Sequence, residues 1–141
     1  MPEVKKVDSQ QQLHDAYKVR YDVFVREQQV PEEEELDQYE ETAIHYVMYD
    51  DNTPIGAGRF RDADGYAKVE RICVLASHRH TGSGRFIMDE IELEAKRQGY
   101  ALMKLNAQIQ AAGFYEKLGY SVTSDEFLDA GIPHVEMKKK L

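Results

Sequence analysis

The chain has 141 residues, of which 42% are hydrophobic and 31% charged, and a formal net charge of -8 at pH 7. This is the size and composition of one globular domain with its own core, and the single cysteine excludes both a disulfide framework and a cysteine-based zinc site. No apolar stretch approaches the roughly 20 residues of a membrane span, and the first residues lack the apolar segment of a secretory signal, so we expect one domain over residues 1–141, in the cytoplasm and with no membrane partner.

The N-terminal half predicts a strand, a helix and then three further strands. A short strand is expected over Glu3–Val7, and Ser9 caps a helix that extends from Gln10 to about Arg26, because apolar residues recur there at helical spacing. Pro31 then interrupts the chain. Three segments rich in β-branched and aromatic residues follow, separated by short turns that predict an antiparallel meander: Ala43–Tyr49, Ile55–Arg61 and Tyr66–Leu75.

The negative charge is concentrated between Glu27 and Glu41. This segment holds eight acids and no lysine or arginine, and the 18 acids of the remaining chain match its 18 lysines and arginines. The segment is either a solvated helix or loop, or a surface that attracts a cationic substrate. In either case we expect no nucleic-acid partner, since neutralising phosphates requires a basic face.

A glycine loop follows the third of these strands. The stretch RHTGSGRF, Arg79–Phe86, places Gly82 and Gly84 just before a helix that is predicted from about Gly84 to Gln98. The first turn of a helix presents free N–H groups and a partial positive charge, and glycine lets an anion approach the backbone closely. No Gly-Lys-Ser/Thr follows, so the loop is not a Walker A motif. It predicts a phosphate or pyrophosphate site.

The C-terminal part adds a strand, a short helix and two more strands. These are expected at Tyr100–Asn106, Ala107–Leu118, Tyr120–Thr123 and His134–Lys138, with a loop carrying DAGIP between the last two. A strand–helix–strand connection makes the strand before the glycine loop parallel to the one at Tyr100. The result is a mixed, mostly antiparallel α/β sheet with the loop at the end of a central strand, where ligands gather.

Several motifs together resemble the GNAT superfamily of N-acetyltransferases. Arg79-His80-Thr81-Gly82-Ser83-Gly84 resembles the family's R/Q-x-x-G-x-G/A motif, VERICVL its fourth strand, and AAGFYEKLGY its helix after the fifth strand. YDVFVREQQVP and FLDAGIPHVEM resemble the ElaA/YjcF-like bacterial subgroup. The resemblance extends over essentially the whole chain. It implies a single-domain GNAT fold in which helices flank the sheet and the parallel fourth and fifth strands splay apart.

The resemblance also implies an acetyl-CoA site and no metal. The main chain of Ile72, Cys73 and Val74 would pair with the pantetheine arm like an added strand. Asn106 would contact the same arm, or would simply end its strand and cap the next helix. Backbone N–H groups around the glycine loop would hold the pyrophosphate, and the residues concerned are Arg79, His80, Thr81, Gly82, Ser83, Gly84 and Arg85. Cys73 is interpreted as a small buried hydrophobe, with a mixed disulfide to CoA as the alternative.

Direct transfer of an acetyl group to an amine requires a base, donors for the oxyanion and an acid for the leaving thiolate. By resemblance Tyr115 is the acid, the backbone N–H of Val74 is the oxyanion donor, and Glu70 is the base acting through water. Glu70 has an alternative as a salt-bridge partner of Arg59 or Arg61. Simple alternation gives Glu70 three neighbours on one face of its strand, unless a bulge intervenes: Lys68, Ile72 and Val74.

Other polar residues are candidates for the acceptor side of the site. His45 and His134 are rival bases, since neutral histidine suits proton transfer near pH 7, or else hydrogen-bonded structural histidines. Arg20, Glu27 and Gln28 lie where the family's first helices form the acceptor wall, so they are candidate substrate contacts.

These features favour an acetyl-CoA-dependent N-acetyltransferase that acts on the primary amine of a small, cationic acceptor. Three alternatives are an amino-sugar N-acetyltransferase of the glucosamine-6-phosphate type, a protein N-acetyltransferase, and a CoA-binding module without catalysis. The resemblance leaves open a homodimer.

Overall fold

One sheet organises the chain, and the computed structural model describes it over residues 2–141. Its strands within that range are β1 (Pro2–Lys6), β2 (Ile44–Asp50), β3 (Thr53–Ala63), β4 (Tyr66–Val74), β5 (Leu102–Gln108), β6 (Ser121–Val122), β7 (Phe127–Asp129) and β8 (Ile132–Lys140). Their order across the sheet is β1-β2-β3-β4-β5-β8-β6, with β7 paired to β8 off this path. β4 and β5 are parallel and the other pairs are antiparallel, which confirms the predicted mixed sheet.

Four α-helices connect the described strands, at α1 (Gln10–Arg20), α2 (Glu32–Glu35), α3 (Ser83–Arg97) and α4 (Ala112–Lys117). α1 continues as a π-helical segment, Tyr21–Glu27, so the helix that was predicted to extend to about Arg26 is present with a change of winding. Short 3₁₀ turns precede the loop before α3 and the start of α4, at Ala76–His78 and Ile109–Ala111. Over residues 2–141, no helix has the length and apolar character that a membrane crossing requires.

Helices cover both faces of the sheet. α3 packs an apolar stripe on one face of the sheet, with Ile87, Met88, Ile91 and Ala95 essentially inaccessible to solvent. α1 packs on the other face, where Ala16, Val19 and Val23 form a second cluster. Each fully buried valine, isoleucine or methionine side chain among these stabilises the fold by about 1.5–3 kcal/mol. The two layers hold the central strands rigidly at the point where β4 and β5 separate.

The pairing of β4 with β5 is short, and this shapes the site. The two strands are in register only from Ala67 opposite Met103 to Val69 opposite Leu105. Beyond that point β4 stays paired with β3, and β5 stays paired with β8. Each strand therefore presents an edge without a strand partner among residues 2–141, and the edges face a common opening. The predicted splay of the parallel pair is confirmed.

Two predicted boundaries at the C-terminal end differ from the structure. The predicted loop that carries DAGIP contains an additional strand. Phe127–Asp129 forms β7, which pairs with β8 around a tight turn at Ala130 and Gly131, and both of these turn residues have positive φ. β5 continues to Gln108, which pairs with His134, so the helix that was predicted from Ala107 begins later, at α4. Tertiary pairing outweighed local helix propensity at these positions.

Candidate active site

A cleft of about 1250 Å³ opens where β4 and β5 separate. Ile72–Val74 of β4 and Asn106–Gln108 of β5 line it, together with residues of the loop before α3, of α4, of the π-helical segment and of the acidic segment. The backbone of β4 is paired on its β3 side and open on its cleft side. Such an open strand edge accepts an extended ligand by main-chain hydrogen bonds.

The loop before α3 is built as an anion site at one end of this cleft. Gly82 adopts φ 85°, ψ 3°, a left-handed conformation natural to glycine, and it immediately precedes the first turn of α3. The Thr81 hydroxyl donates to the His78 carbonyl at 2.6 Å and lies 2.9 Å from the Ser83 hydroxyl oxygen, which braces the loop. The N–H groups of the first turn have no partner within the helix, and the helix dipole favours negative charge there.

Most of the predicted loop residues reach the cleft. His80, Gly82, Ser83, Gly84 and Arg85 line it, and Thr81 braces the loop without lining the cavity.

Arg79 lines the cleft but has a protein partner of its own. Its Nε donates to the Val74 carbonyl at 2.9 Å, and its two terminal nitrogens donate to the Glu27 carboxylate at 2.6 and 2.5 Å. The hydrogen bond from Arg79 lowers the pKa of Glu27. Glu27 therefore ties the end of the π-helical segment to the loop, and its side chain does not line the cleft as a substrate contact would.

A bulge in β4 changes which side chains share a face. Arg71 has a positive φ of 63°, and the pairing with β3 shifts at this point. Ile72 and Val74 pack against the cluster on the α3 side, and Cys73 packs on the α1 side. The simple alternation that would place Glu70 on one face with Ile72 and Val74 is wrong, because the extra residue inverts the pattern beyond Arg71.

Cys73 lies at the inner wall of the cleft as a small buried residue. It is a free cysteine, 6% exposed, packed in the α1-side cluster with Val19 and Val23. Burial raises the pKa of its thiol to about 12. The thiol therefore stays protonated near neutral pH and is a poor nucleophile.

Glu70 lines the cleft and is held by two arginines, which is the arrangement its alternative interpretation described. Its carboxylate accepts from Arg59 at 2.9 and 3.2 Å and from Arg61 at 3.0 Å, with the Lys68 ammonium at 3.7 Å. Burial alone would raise the pKa of Glu70, but the hydrogen bond from Arg61 and the neighbouring positive charges outweigh it and lower that pKa. Glu70 is thus ionised and weakly basic.

Arg59 connects Glu70 to the acidic segment. The Arg59 side chain is fully buried and, besides Glu70, donates to Asp37 at 2.6 Å and to Glu40 at 2.7 Å. Arg71 also donates to Asp37, at 3.3 Å. One guanidinium therefore gathers three carboxylates from two distant parts of the chain.

Arg20 of α1 also pairs with carboxylates of the acidic segment. It is 1% exposed, donates to Glu35 at 2.7 Å and to Glu40 at 2.7 and 2.9 Å, and does not line the cleft. The expectation that Arg20 contacts the acceptor is therefore corrected, because Glu35 and Glu40 of the acidic segment bind its guanidinium inside the protein. Both sequence interpretations of that segment also need revision, since its central acids are neutralised inside the protein.

Tyr115 of α4 lines the cleft close to Cys73. It is 9% exposed, and its ring packs edge-on against Phe114 at 4.9 Å and Tyr120 at 5.9 Å between centroids. Burial raises the pKa of the Tyr115 phenol, with a further contribution from the nearby Cys73. The phenol therefore keeps its proton until a strong base forms beside it.

The two candidate histidines lie in different environments. The His45 ring is buried against Tyr17, its Nε2 is 2.7 Å from the Glu40 carbonyl oxygen, and it does not line the cleft. Burial lowers the pKa of His45. His134 does line the cleft, with its Nδ1 2.6 Å from the Ile132 carbonyl oxygen.

Two predicted amide side chains also lie in the cleft. Asn106 lines it at the point where β5 leaves β4. Gln28 lines it from the end of the π-helical segment and accepts a hydrogen bond of 2.8 Å from Gln108 of β5. These amides span the opening between the two elements.

Comparison with known proteins decides the family. Residues 5–141 match the family described as "Acetyltransferase (GNAT) domain". The chain belongs to the GNAT acetyltransferases. It is 54% identical over 132 residues to the Bacillus subtilis (strain 168) protein "Uncharacterized N-acetyltransferase YjcF", covering 93% of this chain and 94% of that one. It is 43% identical to YyaT of the same organism, covering 98% and 95%.

Solved structures support the fold of this GNAT acetyltransferase. Escherichia coli ElaA superposes with a TM-score of 0.89 at 21% identity, covering 99% of both chains. An acyl-CoA N-acyltransferase from Pseudomonas aeruginosa superposes with a TM-score of 0.86 at 22% identity, covering 99% of this chain and 98% of that one. The fold, the ElaA/YjcF-like resemblance and the acetyltransferase class predicted from sequence are confirmed.

Three residues of the GNAT cleft, and the wider role of Arg59 beside it, were missed by sequence reasoning. Arg71 and Gln108 line it, and Phe114 covers the loop so closely that a Cβ on Gly84 would lie 3.1 Å from its ring. Arg59 was considered only as a partner of Glu70, although it also holds the acidic segment. No local pattern indicates these contacts. Across residues 2–141 no group of three or more His, Cys, Asp or Glu is arranged to hold a metal ion.

Proposed function

We propose that this GNAT acetyltransferase transfers the acetyl group of acetyl-CoA directly to the primary amine of a small acceptor. The observation that carries the proposal is the combination within one cleft of a helix N-terminus at the loop, an open strand edge along β4, and the buried phenol of Tyr115. Each serves a different part of the donor: the pyrophosphate, the pantetheine arm and the sulfur.

The residues present fit that donor. N–H groups at the start of α3 would bind the pyrophosphate, and Gly82 keeps the approach free of a side chain. The backbone of Ile72–Val74 would hydrogen-bond to the amides of the arm, with Asn106 facing it from β5. The N–H of Val74 would then donate to the thioester oxygen as negative charge develops on it.

Tyr115 would protonate the leaving sulfur. Ordinary pKa values of about 8.5 for a thiol and about 10 for a phenol make this transfer slightly uphill, so the phenolate must regain a proton from the attacking nitrogen to complete it. Burial raises the pKa of Tyr115 further, so the phenol donates only when the thiolate forms beside it. Its loss should slow turnover by roughly ten- to a thousandfold rather than abolish it.

The acceptor we propose carries a positive charge. Glu33 and Glu34 of α2 and Asp129 of β7 line the mouth of the cleft, and none of the three forms an ion pair within residues 2–141. Carboxylates from two sides of an opening raise the local concentration of a cation. This attraction weakens with salt, since exposed charges are screened over about 10 Å at 0.1 M ionic strength.

The test is CoA release from acetyl-CoA across a panel of polyamines, amino acids, aminoglycosides and amino sugars, with Tyr115→Phe measured beside the wild type. CoA affinity is measured by calorimetry in both. Tyr120→Phe is the matched control, because it removes a buried hydroxyl that has no hydrogen-bond partner from the neighbouring ring.

We expect at least one amine to give turnover, a selective loss in Tyr115→Phe with CoA affinity retained, and no loss in Tyr120→Phe. CoA binding with no turnover on any amine would leave a binding module, and equal turnover in Tyr115→Phe would remove the proposed acid. Amino sugars in the panel, and mass spectrometry of protein substrates, distinguish the alternative acceptors.

A further inference from the structure

We infer that His134 is the general base that removes the acceptor's proton, an inference that rests on the proposed acetyl transfer. His134 is 8% exposed and lines the cleft, and its Nδ1 is 2.6 Å from the Ile132 carbonyl oxygen. A carbonyl oxygen only accepts, so Nδ1 carries the hydrogen and donates it. In the neutral ring Nε2 then holds the lone pair, as a base requires.

The surroundings of His134 hold this tautomer in place. Phe127 of β7 stacks on the ring, with centroids 6.1 Å apart and planes 23° apart. Within residues 2–141 no side chain hydrogen-bonds to Nε2. The ring is fixed at one nitrogen and along one face, and the remaining nitrogen is available to a group in the cleft.

The other two candidate bases lack either access to the cleft or a free lone pair that could accept a proton. Glu70 lines the cleft, but Arg59 and Arg61 occupy its carboxylate, and its lowered pKa makes it a weak base. His45 does not line the cleft, and its Nε2 is committed to the Glu40 carbonyl. Of the three bases suggested by the sequence, His134 alone combines access to the cleft with an unoccupied lone pair.

Charged groups lie on β8 itself and on the strands β5 and β7 that pair with it, and one more, on α4, lines the same cleft. Glu136 follows on β8 and is held by Lys104 at 2.9 Å. Asp129 of β7 pairs in register with Ile132, and Lys117 of α4 lines the cleft. Gln108, which lies opposite His134 on β5, is uncharged.

The step we assign is balanced as follows. His134 Nε2 takes one proton from the acceptor ammonium, directly or through one water, and the freed amine attacks the thioester carbonyl carbon. A C–N bond forms and the C–S bond breaks. Tyr115 gives its phenolic proton to the sulfur and regains the second proton from the nitrogen. An ammonium and a thioester thus become an amide, a thiol and one proton, which His134 releases to solvent.

The experiment compares His134→Gln and His134→Ala with the wild type, using acetyl-CoA and the amine that gives the fastest CoA release in the panel. His14→Gln is the control for loss of an imidazole, because His14 is exposed on α1. We expect kcat to fall by about 100- to 10,000-fold in both variants with CoA affinity unchanged. Free imidazole should restore turnover of His134→Ala in proportion to its concentration.

Different results would overturn the role of His134 and the proposed function. Turnover of His134→Gln within threefold of wild type would overturn the assignment, as would a slow His134→Ala that folds, binds CoA and is not rescued by imidazole. If His134→Ala does not fold, His134→Gln decides alone, with its acid limb of the kcat/KM pH profile expected to flatten. Wild-type chain that binds CoA and acetylates no amine would instead refute the proposed function, so the two failures are distinguishable.

Discussion

Replacing Arg59 with methionine should be among the most damaging single changes in this protein. The Arg59 side chain is fully buried and lies within 2.6 to 2.9 Å of oxygens on Asp37, Glu40 and Glu70. Methionine fills much of the volume but leaves these carboxylates without their shared partner. Removing one member of a buried ion network typically costs 3–5 kcal/mol, so we expect a loss of about 4 kcal/mol.

The assay is thermal and urea unfolding at pH 7.5, read by circular dichroism. For a domain of this size 1 kcal/mol shifts Tm by about 3 °C, so Arg59→Met should melt about 10 °C lower. Arg26→Met is the matched control, since Arg26 is 72% exposed and lies 3.8 Å from Asp22. An exposed pair of that kind contributes less than about 1 kcal/mol.

The pH dependence has a definite sign. Burial opposes ionisation of Asp37, Glu40 and Glu70, but the arginines outweigh it, and the pKa of each lies below its ordinary value in the folded protein. Their contribution to stability is therefore present above the ordinary carboxyl pKa of about 4 and is lost as pH falls through the lowered values. Without Arg59 one of the causes that lower these pKa values is lost and burial still raises them, so they rise, although Glu40 keeps Arg20 and Glu70 keeps Arg61.

The destabilisation by Arg59→Met should consequently be largest near pH 7.5 and smaller at pH 5, where carboxylates that have lost one of their cationic partners take up protons more readily. A decrease of less than about 1 kcal/mol in the free energy of unfolding would contradict the conclusion that Arg59 stabilises the fold by pairing with three carboxylates. An equal loss at both pH values would show that packing, and not charge, accounts for the change.

Two further predictions follow from the cleft. Cys73 should resist alkylation by iodoacetamide in the native protein at pH 8 and react on unfolding, because burial raises its thiol pKa to about 12; rapid native labelling would contradict this. Gly84→Ala should weaken CoA binding about tenfold, since the new methyl would lie 3.1 Å from the Phe114 ring at the anion site. Gly113→Ala, whose Cβ meets nothing within 4 Å, should leave CoA binding unchanged and stabilise α4 by up to about 1 kcal/mol, so equal effects on binding would refute the steric argument.

The part of the cleft that we propose binds the donor could be located from sequence because it is built from local features. Gly82 and the first turn of α3 are adjacent in the chain, and their geometry depends on a positive φ that glycine adopts freely. Tyr115 follows from a helix that is itself recognisable from the motif around it. Short-range rules therefore predicted the position of the loop, most helices and strands, and the parallel strand pair that the structure confirms.

The acceptor side could not be predicted in the same way, because its contacts join residues far apart in sequence. Arg20 and Glu35 are separated by 15 positions, and Arg59 and Asp37 by 22. The sequence of an acidic segment does not show whether arginines from distant parts of the chain pair with it in the folded protein. The bulge at Arg71 depends on pairing with β3, so alternation along β4 alone misplaced the residues beyond it.

The revised charge distribution changes what the acidic segment can do for catalysis. Glu27, Glu35, Asp37 and Glu40 are paired with arginines, so half of its eight acids attract no ligand. Those four instead fix the segment against β3, β4 and the glycine loop. The remaining acids are exposed, and they include Glu33 and Glu34 at the cleft mouth. We therefore expect the same segment to form a wall held by its arginine-paired carboxylates and, through the others, a rim that attracts the proposed cationic acceptor. Substitutions at Glu33 and Glu34 should then change acceptor preference with little effect on stability.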